Sequence, residues 1–76
     1  METLARLEQT IRDRRAASAD ASYVASLFAR GLPTIARKLG EVGVETVIAA
    51  LSGSREELVG EAADVLFHLM VLLNAK

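Results

Sequence analysis

Residues 52–68 read SGSREELVGEAADVLFH and contain the start of a long helix. Ser54 precedes Glu57 by three positions, which is the spacing of a capping box, where the hydroxyl and the carboxylate each accept a bond from a free backbone N–H. Helical character continues from there almost to Lys76. Because the Ser-Gly pair before this cap makes only a short connection, we predict that two consecutive helices pack antiparallel.

Acidic side chains are concentrated on one side of the last helix. On a helix that turns about 100° per residue, Glu61, Asp64 and His68 fall within one narrow sector. That sector borders an apolar stripe formed by Leu58, Val65, Leu69 and Leu72. We therefore expect both acids to lie next to the core.

The preceding helix is predicted from near Pro33, which is tolerated in a first turn, to about Leu51. Its apolar stripe consists of Ile35, Leu39, Val42, Thr46 and Ala49. A second face carries Lys38, Glu41 and Glu45. Both helices of the predicted pair thus place carboxylates beside a buried stripe.

Two further helices complete the fold prediction. The first runs from about Thr3 to Ala17 and ends in the polar turn 18–20; its apolar residues, at helical spacing, are Leu4, Leu7 and Ile11. The second covers residues 22–29 and is closed by Gly31, in a position that often needs a positive φ. Since no segment alternates with period two, residues 1–76 are predicted to form a single all-α domain, an antiparallel bundle of about four helices.

A chain of 76 residues buries little surface by itself. Apolar residues make up 51% of it, only 4% is aromatic, and it has no cysteine, so we expect a core of Ala, Leu and Val without disulfides. A symmetric homodimer would cover the apolar stripes that one thin layer of helices leaves exposed.

The net charge of −1 argues against a nucleic-acid-binding protein. Charge is unevenly divided, at +3 over residues 1–40 and −4 over residues 41–76, so that one half suits phosphates and the other a cation. No signal sequence is evident and no apolar stretch approaches the length of a membrane span, so we expect a cytoplasmic protein that binds no membrane.

Carboxylates that face each other across a helix pair repel one another and lose hydration, a cost that a bound cation offsets. Oxygen donors without cysteine favour Mg²⁺, with Mn²⁺ as the other possibility, over zinc. A divalent metal between the two long helices is therefore one interpretation of these acids, and the solvated edge of an amphipathic helix is the other.

Four stretches of the sequence carry a family resemblance: SYVASLFARG at 22–31, IARKLGE at 35–41, ETVIAA at 45–50 and ELVGEAADVLFHL at 57–69. They closely resemble the phosphoribosyl-ATP pyrophosphohydrolases, which belong to the MazG-like all-α pyrophosphohydrolases. The larger group is marked by Glu-Glu-x-x-Glu followed one helix later by Glu-x-x-Asp, and Glu61 and Asp64 fit the second element. The tyrosine-serine segment at 22–31 separates this family from its MazG relatives.

The resemblance implies Mg²⁺-dependent hydrolysis of phosphoribosyl-ATP to phosphoribosyl-AMP and pyrophosphate, the second step of histidine biosynthesis, by a homodimer. It implies three metal ligands: Glu45, Glu61 and Asp64. Catalytic roles are expected for Lys38 and Glu41. Substrate contacts are expected from Arg14, Ser22, Tyr23 and Lys38.

The first acidic element departs from the family pattern. It reads Glu41-Val42-Gly43-Val44-Glu45, so Val42 stands where relatives have the second glutamate. We therefore expect a site one ligand short and an activity that is reduced. Relatives usually continue into a further helix, so we also expect this to be a short or trimmed version.

Most of these side chains have a structural interpretation as well. Glu61 and Asp64 suit the solvated edge of an amphipathic helix, while His68 suits a hydrogen bond to Asp64 or the edge of the core. Tyr23 and Phe28 would serve as core fillers or as an apolar wall for an adenine ring.

The basic residues also have alternatives. Lys38 could pair with Glu41 or Glu45 across one helical turn. Arg14 and its arginine neighbours at the end of the first helix would favour the helix dipole there. Two other functions also remain open, a catalytically weakened helical dimerisation module and a house-cleaning nucleoside triphosphate pyrophosphohydrolase.

Overall fold

The computed structural model describes residues 2–15 and 22–76, and these form four α-helices without strands. The helices are α1 (Glu2–Arg15), α2 (Tyr23–Arg30), α3 (Leu32–Ser52) and α4 (Arg55–Ala75). The all-α prediction is confirmed for this part of the chain. The predicted end of the first helix at Ala17 and the turn Ser18-Ala19-Asp20 lie outside the described residues.

A single glycine joins α2 to α3. Gly31 has φ 95° and ψ 171°, a backbone conformation that is open essentially to glycine alone. Its N–H donates to the carbonyl oxygen of Leu27 at 3.2 Å, and Pro33 lies in the first turn of α3. The predicted roles of Gly31 and Pro33 are therefore confirmed.

The turn between α3 and α4 is also short and consists of Gly53 and Ser54. Ser54 caps α4 by accepting a hydrogen bond from the backbone N–H of Glu57 at 3.1 Å, which confirms that half of the predicted capping box. A Cβ at Gly53 would lie 3.0 Å from the carbonyl oxygen of Ala49, so a larger residue would force this close turn to shift by a few tenths of an ångström. The two 21-residue helices consequently pack against each other more extensively than any other pair of helices.

The core lies where α1, α2, the start of α3 and the end of α4 meet. Its buried side chains are Ile11, Val24, Leu27, Ile35 and Val71. Two of these are isoleucines, which corrects the expectation of a core made of Ala, Leu and Val. Because the core cluster occupies one end of the α3–α4 hairpin, the other end, which carries the acidic residues, extends beyond it.

Helices α3 and α4 are apolar on two opposite faces. The inward face of α3 buries Ile35, Val42 and Ala49, as the sequence pattern predicts. The outward faces expose apolar side chains: Val44, Val47, Ile48 and Leu51 on α3, and Val59, Leu66, Leu69 and Leu73 on α4. A helix that is apolar on both sides is expected to be covered on both sides.

By length and composition alone, α4 could cross a membrane. This corrects the expectation that no stretch approaches such a length, although a single helix of this kind is weak evidence for a membrane. Localisation in the cytoplasm stays a prediction.

Replacing Gly31 by alanine is expected to lower the free energy of unfolding by about 1–3 kcal/mol, because a Cβ strains the backbone at positive φ. Gly40 provides the control, since it lies inside α3 and a Cβ there meets nothing within 4 Å. Gly40→Ala should stabilise the protein by about 0.5–1 kcal/mol. Urea unfolding followed by circular dichroism measures both changes, and equal effects of the two substitutions would contradict the assigned role of Gly31.

Candidate active site

Two carboxylates meet across the α3–α4 pair. Glu45 on α3 and Glu61 on α4 lie close enough to share a hydrogen bond when one of them is protonated. The Oε2 atom of Glu61 is buried and has no hydrogen-bond partner among the described residues. An open groove of about 510 Å³ adjoins the pair and is lined by Glu45, Ile48, Ala49, Ser52, Gly53, Glu57, Gly60 and Glu61.

The electrostatic cost of this arrangement falls on Glu61. Burial of its carboxyl group raises the pKa of Glu61 above the ordinary value, and the neighbouring charge and hydrogen bond of Glu45 raise it further. The charges of Asp64 and Glu57 act in the same direction. Three acids thus act on the Glu61 carboxyl group, which suits a bound cation or proton.

Asp64 is held by a buried histidine. The Nδ1 atom of His68 lies 3.1 Å from Oδ1 of Asp64 and 2.9 Å from the backbone oxygen of the same residue. On its other side, Nε2 of His68 lies 2.9 Å from the hydroxyl of Tyr23. His68 is only 3% exposed, which confirms its predicted packing at the core edge. Its hydrogen bond goes to the backbone oxygen of Asp64 and not to the predicted carboxylate, which lies 3.1 Å away.

The carboxylates of this site meet only part of what a metal ion requires. Among residues 2–15 and 22–76, no three His, Asp or Glu side chains are gathered closely enough to hold a metal as they stand. Glu45 and Glu61 are together, whereas Asp64 is engaged with His68 one turn further along α4. The unpartnered oxygen of Glu61 and the all-carboxylate donors nevertheless fit Mg²⁺ or Mn²⁺.

Val42 lies inside the helix pair. It is 6% exposed, on the face of α3 that packs inward, as the sequence pattern predicts. An apolar side chain at this position contributes packing but no ligand. The position that departs from the family motif therefore lies on the buried side of α3, inside the helix pair.

The two predicted catalytic residues are placed differently from the acid pair. Glu41 is exposed, and its Oε1 lies 3.9 Å from Nε of Arg37, so Arg37 and not Lys38 forms the ion pair on this helix. The charge of Glu41 also contributes to a raised pKa of Tyr23, which places it toward the tyrosine end of the site. Lys38 is half-buried. The roles of Lys38 and Glu41 stay predictions.

The predicted substrate contacts are divided between two places. Ser22 is buried and caps α2, accepting a 3.4 Å hydrogen bond from the N–H of Ala25, whereas Tyr23 is half-exposed beside Asp64. Arg14 is exposed near the end of α1. Its neighbour Arg15 donates to Asn74, which lies ten residues from Asp64, or about 15 Å along α4.

That end of the molecule has a groove of its own, lined by Glu8, Arg12, Arg15, Met70, Leu73 and Asn74. Arg12 pairs with Glu8 at 2.6 Å, and the guanidinium of Arg15 lies 4.5 Å from the ring centroid of Phe28. These arginines have intramolecular partners. The structure does not bring the arginine cluster to the acid pair, so a substrate role for Arg14 stays a prediction without a supporting contact.

Two charged residues near the site were missed by the sequence reasoning. Glu57 lines the same groove as Glu45 and Glu61, one turn before Glu61 on α4. The i, i+4 spacing could have identified it, but Glu57 was assigned only to the helix cap. Arg30 is the other; burial and the charge of Asp64 raise the pKa of Tyr23, and the charge of Arg30 opposes this rise. Tyr23 and Arg30 lie seven residues apart on α2, so helical spacing could have identified Arg30 as well.

Four helices, with acidic residues opposed on two of them, agree with the all-α pyrophosphohydrolases that the sequence resembles. The family model for phosphoribosyl-ATP pyrophosphohydrolase matches residues 4–76, and the chain belongs to this family. The resemblance drawn from the sequence motifs is therefore confirmed.

Named relatives agree with this assignment. The phosphoribosyl-ATP pyrophosphatase of Novosphingobium aromaticivorans is 68% identical over 75 residues, covering 99% of this chain and 70% of that protein. The protein of the same name from Erythrobacter litoralis is 64% identical over 76 residues, covering 100% and 73%. The histidine biosynthesis bifunctional protein HisIE of Vibrio cholerae is 51% identical over 71 residues, covering 93% of this chain and 34% of that protein.

Burial and like charges raise the pKa of Glu61, and this shift makes the free energy of unfolding depend on pH. The protonated form favours the fold, so this contribution is complete below the ordinary value of 4.5 and is lost as pH rises through the raised pKa. Metal-free Glu61→Gln should therefore be more stable than the unsubstituted protein at neutral pH, and the difference should vanish in acid.

Thermal unfolding in EDTA between pH 4 and 8 measures this effect. Glu56→Gln removes the same charge from an exposed position in the first turn of α4 and serves as the matched control, with no stabilisation expected at neutral pH. Parallel stability curves for the unsubstituted protein and Glu61→Gln would show that the Glu61 carboxyl is not strained by its neighbours.

Proposed function

We propose that this chain hydrolyses phosphoribosyl-ATP to phosphoribosyl-AMP and pyrophosphate, a step of histidine biosynthesis. The observation that carries the proposal is the family match over residues 4–76, which spans both helices of the acid pair. The groove beside Glu45 and Glu61 offers space for a small nucleotide substrate, and its acidic lining requires that the phosphates arrive with a cation.

The residues proposed to hold Mg²⁺, or Mn²⁺ in its place, are Glu45, Glu61 and Asp64. When bound, such an ion neutralises phosphate charge and lowers the pKa of a coordinated water. Glu61 supports this assignment, because its buried oxygen lacks a partner and its pKa is raised by like charges. Asp64 would turn one oxygen toward the pair while His68 holds the other.

Lys38 and Glu41 are the proposed catalytic pair on α3. Lys38 would stabilise the negative charge that develops on the phosphates as the bond between the α- and β-phosphorus breaks. Glu41 is exposed at the tyrosine end of the site and is proposed to orient the attacking water. Tyr23, half-exposed nearby, would supply part of the wall against which the substrate rests.

Pyrophosphate release from phosphoribosyl-ATP during a magnesium titration tests the proposal, and Val42→Glu tests the missing ligand. The substitution adds a carboxylate three residues before Glu45, on the same helical face, so we expect severalfold higher turnover at low magnesium concentration. The neutral control Val42→Gln should give no such gain. Equal turnover by the Glu and Gln variants throughout the titration would contradict the ligand role of this position.

The same titration separates the alternatives. No release from either the unsubstituted protein or Val42→Glu would identify the chain as a helical module without activity. Faster release from ordinary nucleoside triphosphates than from phosphoribosyl-ATP would instead identify a house-cleaning hydrolase. In either case, the proposed substrate would be wrong.

We also propose that the chain forms a homodimer through the outward apolar faces of α3 and α4. Among the eight large apolar side chains on these faces, Leu51 is 83% exposed and Leu73 is 68% exposed. Exposed apolar stripes on both long helices are costly for a monomer of 76 residues. A second copy would supply matching stripes, because the interface of a two-fold dimer is self-complementary.

Lysine substitutions at Val47 on α3 and Leu66 on α4 test the dimer. Each places a charge in the centre of the proposed interface, so sedimentation equilibrium should show a shift from dimer to monomer. Thr3→Lys adds the same charge to an exposed position of α1 and should leave the dimer intact. A monomeric unsubstituted protein, or dimerisation unaffected by both substitutions, would contradict the proposed interface.

A further inference from the structure

A line of polar contacts runs from Tyr23 through His68 to Asp64, beside the proposed metal site, and the hydrogen bond of His68 to Asp64 is made to its backbone oxygen. The hydroxyl of Tyr23 lies 2.9 Å from Nε2 of His68, and Nδ1 of His68 lies 3.1 Å from Oδ1 of Asp64. We propose that Tyr23 and His68 are positioning residues that hold the Asp64 carboxylate in a single orientation. This inference rests on the proposed function only where it treats Asp64 as a metal ligand.

The backbone oxygen of Asp64 fixes the direction of the hydrogen bonds that join Tyr23, His68 and Asp64. Nδ1 of His68 faces two oxygens of Asp64, and the backbone one, 2.9 Å away, can only accept. Nδ1 of the neutral ring must therefore carry the proton, which leaves Nε2 as an acceptor. The hydroxyl of Tyr23 then donates to Nε2, so that Tyr23 selects the tautomer that serves Asp64.

Aromatic packing prevents the histidine ring from turning. The ring of Phe67 meets that of His68 edge-on, with centroids 5.0 Å apart and planes at 90°. Tyr23 stacks on Phe67 at 6.0 Å and meets the His68 ring edge-on at 5.8 Å. A ring that is 3% exposed and enclosed in this way has one orientation available, and both of its nitrogens have partners.

The consequence for Asp64 is an asymmetric carboxylate. Its Oδ1 lies 3.1 Å from Nδ1 of His68, whose hydrogen bond goes to the backbone oxygen of the same residue, so Oδ2 is the oxygen left without this contact. Hydrogen bonds of this kind orient metal-ligating groups, and their removal typically weakens metal affinity about 10–100-fold. If the contact between His68 and Asp64 only stabilised α4, it would not depend on the hydroxyl of Tyr23, which lies on another helix.

The first test reads the tautomer directly. The chain contains one histidine and one tyrosine, so nitrogen resonances of the ring need no assignment. In long-range ¹H–¹⁵N spectra of the neutral ring, Nδ1 should appear as the protonated nitrogen and Nε2 as the unprotonated one. Tyr23→Phe, which keeps the stacked ring and removes only the hydroxyl, should shift the spectrum toward the other tautomer.

The second test reads the carboxylate and its metal. The side-chain ¹³C resonance of Asp64 should move in Tyr23→Phe and His68→Phe, because both disturb the hydrogen bond. Calorimetric Mn²⁺ affinity should fall about tenfold or more in His68→Phe and by less in Tyr23→Phe. His68→Asn, whose amide nitrogen can replace Nδ1 as donor, should recover part of the affinity.

Ser26→Ala is the matched control. It removes a hydroxyl from the same helix as Tyr23, one that donates to the backbone oxygen of Tyr23 at 2.7 Å, and it should change neither the Asp64 resonance nor the Mn²⁺ affinity. A protonated Nε2 in the unsubstituted protein overturns the inference. It is also overturned if Tyr23→Phe, which leaves the packing intact, moves neither the tautomer nor the Asp64 resonance.

The outcomes distinguish this inference from the proposed function. If the unsubstituted protein binds no Mn²⁺ but shows the expected tautomer and Asp64 shifts, the metal site is wrong and the positioning of Asp64 stands. If Mn²⁺ binds with equal affinity in all variants, Tyr23 and His68 do not position a ligand, while the metal proposal stands.

Discussion

The packing of α3 against α4 forces two carboxylates, Glu45 and Glu61, against each other, and the rest of the site depends on this contact. The short turn at Gly53 fixes which residues of the two helices face each other. Because one Glu61 oxygen is buried without a partner, the hairpin holds its charge at a cost to stability. A cation or a proton relieves this cost, which links the stability of the fold to the state of the site.

The small size of the domain explains why the acids lie where they do. A core cluster at one end, formed with α1 and α2, anchors the hairpin, and the opposite end extends beyond it beside an open groove. The acidic residues therefore occupy a position that is shielded enough to perturb Glu61 yet open to solvent. A second copy placed on the outward faces would bury the exposed apolar side chains of α3 and α4 and leave the core cluster unchanged.

Local chemistry explains why so much of the fold was predictable. Ser54, Gly31 and Pro33 act on backbone atoms within a few residues, so their effects can be recognised in the sequence without knowing what the helices pack against. The inward position of Val42 followed from helical periodicity in the same way. The expected composition of the core was wrong because it was drawn from overall residue content, although helical periodicity had placed Ile11 and Ile35 on the apolar stripes of their helices.

The sequence by itself determined four helices, the antiparallel pair, the family and the three acids on facing helices, because each rests on spacing along one helix or on a motif. Only the tertiary structure decided that Glu45 and Glu61 meet while Asp64 turns to His68. It also joined Tyr23 to His68, 45 positions apart, and placed Glu57 in the groove. Such contacts depend on the rotation and approach of separate helices, and no periodicity within one helix records those quantities.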